Sequence, residues 1–299
     1  MENIFNPIGY IFGYVLWFFF DLFDNYPLAI ICFCVVIRLL IFPFDIKSRM
    51  ASAKMARLSK KQSEIQKKYK NNKEKLNEEL AKLYQQEGGN PFSGCLPMLV
   101  PFISLMGVFY AIVKPLTNMF HISADKVTKA FSLSGASGFY GELQVVKSFP
   151  SLQNLMNIFN QKEINDVMDF NKGFHFFGMD LSRVPNQSPF LDPVWIFPVL
   201  GIITLFLTIF LNQKFNPTPS PQGGGCMKFL PYTTSIIYIM VIVGAPVALS
   251  FYYVVANILT IIQTFLINKF YSKELMTAKA EARRIALRDI QESDSNRNF

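Results

Sequence analysis

The sequence predicts an all-α integral membrane protein. Five core transmembrane helices surround a hydrophilic groove open to the cytoplasm, with a cytoplasmic helical hairpin and an N-terminal interfacial helix. Three observations predict this. The chain is 51% hydrophobic, with 31 Phe in 299 residues, and its mean hydropathy of +0.26 is too high for a soluble domain of this size. Apolar runs recur at the length of about 20 residues that a bilayer requires. Finally, charge is segregated. Lys and Arg concentrate in Lys47–Lys82 and after Lys269, whereas Leu116–Leu191 carries six basic and six acidic residues. The positive-inside rule then places both basic segments in the cytoplasm and the neutral one outside.

Residues 1–26 open with an apolar run, Ile4 to Phe20. No Lys or Arg precedes it, so it does not read as a signal peptide. Asn6, Tyr10, Tyr14, Trp17, Asp21 and Asp24 recur at helical spacing as a polar-aromatic face, which suits a helix lying in the outer interface. An additional span is the alternative, and it leaves the later topology unchanged.

The core covers residues 27–268. Its first span, about 28–46, is interrupted by Arg38. A guanidinium within a span costs about 2.5–3.5 kcal/mol on insertion scales. With Lys47 marking the cytoplasmic end, Arg38 lies roughly 10–14 Å deep. Either it is held in a structural ion pair, for which Asp45 is the nearest candidate, or it faces a wet cavity. Segment 47–90 reads as two antiparallel helices, with Leu58, Ile65 and Tyr69 on one stripe and Leu76, Leu80, Leu83 and Tyr84 on the other. The turn falls at Lys70–Lys73, and Gly88-Gly89-Asn90-Pro91 is the stop. Twelve basic and five acidic residues leave this hairpin strongly cationic, suited to anionic lipid, a ribosome or an incoming polypeptide.

A second span is expected at about 94–113. The region 116–191 is extracytoplasmic, too long for a simple turn, and its internal structure is not legible in the sequence. The third span, about 193–211, begins beside Trp195. A Pro- and Gly-rich loop follows. Spans at about 227–243 and 247–268 are separated by Gly244-Ala245-Pro246, and the shortness of the former suggests local thinning. Residues 269–299 form a basic cytoplasmic tail. The N-terminus is expected outside. The four cysteines, Cys32, Cys34, Cys95 and Cys226, all lie outside 116–191, so no disulfide framework is expected.

Polar side chains in the spans gather toward the cytoplasmic side: Arg38, Ser104, Thr204, Thr208, Asn212, Thr234, Asn257, Thr260 and Gln263. Each wants a partner or water. Ser or Thr bonded to its own helix explains any one of them. Their common depth suggests a pocket, positively charged and closed on the outer side. Such a pocket does not conduct. It attracts an acidic peptide and shortens the hydrocarbon a hydrophilic segment must cross. No catalytic constellation, phosphate loop or metal-ligand cluster accompanies it. The two histidines, His121 and His175, lie in 116–191 without motif neighbours. No cofactor is expected, and a soluble enzyme is excluded by composition.

Several motifs resemble the YidC family of membrane protein insertases: Arg38 within Val36-Ile-Arg-Leu-Leu-Ile-Phe-Pro43, the basic hairpin, Asn90-Pro-Phe-Ser-Gly-Cys-Leu-Pro97, Phe177-Gly-Met-Asp-Leu-Ser182, and Pro246 to Gln263 with Tyr252-Tyr253 and Asn257. The chain departs at Pro101, Phe102 and Ile103, where the family often carries Gln and then Met-Pro. The resemblance implies a cell-membrane insertase and chaperone with Arg38 in its groove and no enzymatic reaction. It implies nascent membrane proteins, the ribosome and the Sec translocon as partners, and function as a monomer is expected. Tyr252 and Tyr253 are candidates for the surface along which an apolar helix slides outward. The alternative is a secondary transporter for a small anion with Arg38 as ligand. The lack of a visible internal repeat counts against it.

Overall fold

The computed structural model describes residues 2–70, 72–86, 106–176, 178–215 and 226–270. In the tail it describes residues 275, 278, 281–282, 285–287 and 289–290. The side chains of 2–5, 51–57, 59–60, 84, 86 and 226–234 lie outside the described set. Among described residues the only strands are two short ones, and the fold is all-α. The chain divides into two compact units. One comprises Met1–Leu39, Pro101–Phe206 and Ser235–Leu259, the other Leu40–Val100, Leu207–Thr234 and Thr260–Phe299.

Helix α1 (Glu2–Phe23) is apolar and aromatic. Gly9 and Gly13, one turn apart, let its backbone approach the single π-helical turn at Pro115–Met119. A Cβ at Gly13 would stand 2.1 Å from the Asn118 carbonyl oxygen, so no larger residue fits without displacing the helix. Leu16 and Phe20 continue that buried face, whereas Ile11, Tyr14, Phe18 and Leu22 are exposed on the other. Asp24, with φ 49°, ends the helix. The Asn25 side chain then accepts from the Leu28 N–H at 3.0 Å and caps the next one.

Helix α2 (Tyr26–Lys68) is a single run of 43 residues, about twice what a bilayer needs. The sequence suggested a span at about 28–46 and a helical hairpin over 47–90. The structure joins them because Lys47 marks a change of polarity, not of helix propensity. The stretch after Pro43 holds Ala, Lys, Arg, Met and Gln without a stop signal. Pro43 removes one backbone donor and is tolerated inside the helix. Helix α3 (Lys73–Gln86) starts where the Asn pair marked a turn, with the Asn72 side chain accepting from the Lys75 N–H at 3.1 Å. Leu58 and Leu83 of the two expected stripes are buried.

Residues 106–113 are helical; most of the expected second span lies outside the described residues. The 116–191 region is a small helical layer: α4 (Ala124–Ser134), α5 (Gly141–Ser148), α6 (Gln153–Met156) and α7 (Gln161–Gly173). Asn160 and Glu163 form a reciprocal capping box at the start of α7. Its far end delivers Phe170 and Phe174 to Tyr26. The Tyr26 ring lies 4.7 Å from each, and Phe20 and Phe120 close the cluster at 5.4 and 5.2 Å from Phe170. This aromatic knot packs the layer onto the α1–α2 junction.

A two-stranded hairpin follows, β1 (His175–Phe176) and β2 (Met179–Asp180), with His175 opposite Asp180. Its two-residue turn requires a left-handed residue, and Gly178 supplies it at φ 78°. The Asp180 carboxylate then accepts from the Ser182 N–H and hydroxyl at 2.8 and 2.6 Å. The chain reverses so that the carbonyls of Leu181 and Arg183 accept from the N–H groups of Ala248 and Val247, both at 2.9 Å. Leu181, from the motif, and Arg183 just after it thus satisfy two orphan donors at the start of the last helix.

Helix α8 (Ile196–Phe215) follows a 3₁₀ turn at Pro193–Trp195. Helices α9 (Cys226–Gly244) and α10 (Val247–Phe270) are parted at Ala245-Pro246, as the sequence indicated. Among the described residues, four segments are long and apolar enough to cross a membrane: Asn6–Phe23, Tyr26–Met50, Pro193–Phe215 and Val247–Phe270. Ser235–Gly244 is a shorter apolar helix. By length and composition α1 therefore qualifies as a span.

Candidate functional site: a membrane-embedded cation and its polar neighbours

Within the first unit, Arg38 is half-buried. Its Nη2 donates to the backbone carbonyl of Ala256 in α10 at 3.3 Å. Asp45, the partner suggested by spacing, bonds elsewhere. Among the described residues no carboxylate lies within ion-pairing distance of Arg38. A carbonyl dipole meets one of five guanidinium donors without neutralising its charge.

One residue on from Ala256, the Asn257 amide donates to the Thr204 hydroxyl at 3.2 Å and to the Tyr238 hydroxyl at 3.0 Å. It thereby ties α8, α9 and α10 together. Thr204 also donates to the carbonyls of Leu200 and Gly201 in its own helix, at 2.8 and 3.1 Å. That satisfies its proton locally, as an isolated threonine would. Gly201 allows a close approach, since a Cβ there would stand 3.2 Å from Ile242. The Tyr238 and Tyr253 rings meet at 4.3 Å, tilted by 58°, and Tyr252 lies 5.3 Å from Tyr253. Tyr252 and Tyr253 are both buried.

Within the second unit, the Gln263 amide donates to Asp45 Oδ2 at 2.7 Å, and Arg49 Nη2 donates to the Thr264 hydroxyl at 3.0 Å. Gln263 and Thr264 are buried, and Gln263 Oε1 meets no partner among the described residues. Thr208, Asn212 and Thr260 are half-buried. Ser104 lies outside the described residues, as does the side chain of Thr234.

Of the residues singled out in the sequence, Arg38, Thr204, Asn257 and Gln263 each make a side-chain contact to another helix. The sequence did not identify Tyr238, which reads as one more aromatic in an apolar helix. Arg49 was also missed. The i, i+4 spacing of Asp45 and Arg49 was the available signal, obscured because Arg49 counts equally well as the first charge of the hairpin.

These features define a class: a multi-pass α-helical membrane protein with a cation and amide groups inside its spans. The family model described as 60Kd inner membrane protein matches residues 18–274, and the chain belongs to that family. Relatives named "Membrane protein insertase YidC" include one from Rickettsia massiliae (strain Mtu5), 30% identical over 258 residues, which cover 86% of this chain and 38% of that protein. Another, from Prosthecochloris aestuarii (strain DSM 271 / SK 413), is 28% identical over 269 residues, covering 89% and 37%. The chain therefore spans little more than a third of the length of these curated relatives.

Proposed function

We propose that this chain is a membrane protein insertase and chaperone whose cationic, hydrophilic groove receives hydrophilic segments of substrate. The observation that carries the proposal is Arg38: half-buried in an apolar helix and answered by a carbonyl rather than a carboxylate. A charge so placed favours an acidic segment that would otherwise enter hydrocarbon alone. Thr204 and Asn257, in the same unit as Arg38, are proposed to line this groove, and Thr208, Asn212, Thr260, Gln263, Ser104 and Thr234 are proposed as further substrate contacts. Helices carrying such groups offer a descending peptide hydrogen bonds that lipid cannot. The relatives' names support this reading.

The finer proposals follow from charge. The 47–90 hairpin and the basic tail face the cytoplasm, where anionic lipid and the ribosome are the expected contacts. The N-terminus faces outside, α1 lies along the interface, and the Sec translocon is a partner for longer substrates. Function as a monomer is part of the proposal. A slide role for Tyr252 and Tyr253 requires neighbouring side chains to part first, because both rings are covered.

The test is reconstitution in proteoliposomes with a short substrate whose translocated tail is acidic. Arg38→Ala is expected to lower its insertion several-fold, and Arg38→Lys to retain most of it. Insertion indifferent to both variants would remove Arg38 from the mechanism. Anion flux that depends on Arg38, without any insertion, would favour the transporter instead.

A further inference from the structure

The two most exposed large apolar side chains in the first unit are adjacent. Phe190 is 75% exposed and Leu191 94% exposed. They lie in no helix or strand, and the loop carrying them is built rather than slack. Arg183 clamps Asp192 with two bonds, Nη1 to Oδ1 at 3.2 Å and Nη2 to Oδ2 at 2.7 Å. The same Nη2 reaches the Ser188 hydroxyl at 3.1 Å. Asp192 in turn accepts from the Val194 N–H at 3.0 Å, capping the turn that opens the span. The Asp192 N–H donates to the Pro189 carbonyl at 3.0 Å. The loop is thus fixed at both ends while its two largest side chains project into the surroundings.

What surrounds them follows from position. The span Pro193–Phe215 begins two residues after Leu191. Its side chains Ile196, Val199, Leu200 and Ile203 are exposed on the chain and meet lipid in a bilayer. The Phe190 ring lies 5.3 Å from Trp195, an indole at the depth where such rings prefer the headgroup boundary. Phe190 and Leu191 prolong that lipid-facing surface beyond the helix end. A charged surface loop would end it.

We propose that the braced Ser188–Asp192 loop is a lipid-inserting wedge, driving Phe190 and Leu191 into the headgroup–acyl boundary of the leaflet at the N-terminal end of α8. The occupant is bulk phospholipid. The recognition is apolar, and Arg183 and Asp192 neutralise each other, so no headgroup charge is selected. The inference requires only that α8 crosses a bilayer, and it is independent of the insertase reading.

The chain has two tryptophans, Trp17 and Trp195, so a single reporter is available. In a Trp17→Phe, Trp195→Phe background, Leu191→Trp and, separately, Phe190→Trp are reconstituted sparsely in phosphatidylcholine–phosphatidylglycerol vesicles. The phosphatidylcholine is brominated near the top of its acyl chains. Both side chains are exposed on the chain, so neither variant disturbs its core. Emission from both is expected to fall by about half or more relative to unbrominated vesicles, as for side chains buried roughly 5–10 Å into the boundary. Ser137→Trp, in an exposed loop of the same layer, is expected to remain unquenched. Emission at 190 and 191 as insensitive as at 137 overturns the proposal. So does quenching that disappears as protein density rises, which would assign the surface to a second copy of this chain.

Discussion

Glu142 sits on α5 with 4% of its surface exposed, accepting from the Thr117 N–H at 2.9 Å and the Thr117 hydroxyl at 2.6 Å. Burial pushes its carboxyl above the ordinary value of 4.5, and the Thr117 bonds and the Lys114 charge oppose that only in part. The folded chain therefore holds this proton more tightly than the unfolded chain. Its contribution to stability is greatest below pH 4.5 and declines as pH rises through the native value. Glu142→Gln keeps both contacts, since its carbonyl accepts from the N–H and its amide donates to the hydroxyl. We expect the variant to flatten this part of the pH dependence of thermal unfolding in detergent. An unchanged slope would assign the dependence to another group. Glu142→Ala leaves the Thr117 donors without this acceptor and is expected to cost about 1–3 kcal/mol. None of this was legible in the sequence, where Glu142 is one of six acids in a neutral region. Arg38, Thr204 and Asn257 were legible because each interrupts an apolar run. Their partners were not, because Ala256 lies 218 residues from Arg38 and carries no sequence mark. Asn257→Leu should expose the difference between lining and glue. If Asn257 lines a path, hydrophilic-tailed substrates lose insertion while purely apolar ones do not. Equal losses for both would mean that its bonds to Tyr238 and Thr204 only hold the helices together.

Among the elements, α1 depends on close backbone contact. Gly9 and Gly13 face Asn118, and the exposed face at Ile11 does not. Gly13→Val puts methyl groups into a backbone carbonyl and is expected to destabilise the first unit by about 1–3 kcal/mol. Ile11→Val should change the unfolding temperature little. Equal effects would mean that α1 does not rely on this contact. The reading of α1 as an interfacial helix weighed its polar-aromatic spacing and passed over the glycine pair, the feature that fixes its packing. Helix existence was well marked elsewhere by long apolar runs and by the Asn71-Asn72 and Ala245-Pro246 breaks. The continuity of α2 across Lys47 has a physical reason. A helix leaving a membrane changes its side chains from apolar to charged without changing its backbone preference. The small helices of 116–191 were not legible because their order depends on the Tyr26–Phe170–Phe174 knot, which joins residues about 145 apart in sequence and has no local period.

At the scale of the whole molecule, direction decides whether the site can work as proposed. Spans alone do not fix which way a protein faces; flanking cations do. The 47–90 segment has twelve basic residues against five acidic ones, and 116–191 is balanced. Each Lys or Arg near an anionic cytoplasmic surface contributes about 1 kcal/mol toward holding the hairpin there. The consequence can be measured with a cysteine-free chain carrying one new thiol and a membrane-impermeant maleimide. Ser137→Cys should be labelled in intact cells. Asn77→Cys, on the exposed side of α3, should be labelled only once the membrane is opened. The opposite pattern would turn the polar side chains around Arg38 away from the compartment where membrane proteins are made. The insertase reading would then fail even though every distance in the site stood, because an acidic tail would meet the apolar ends of these helices before it met the guanidinium.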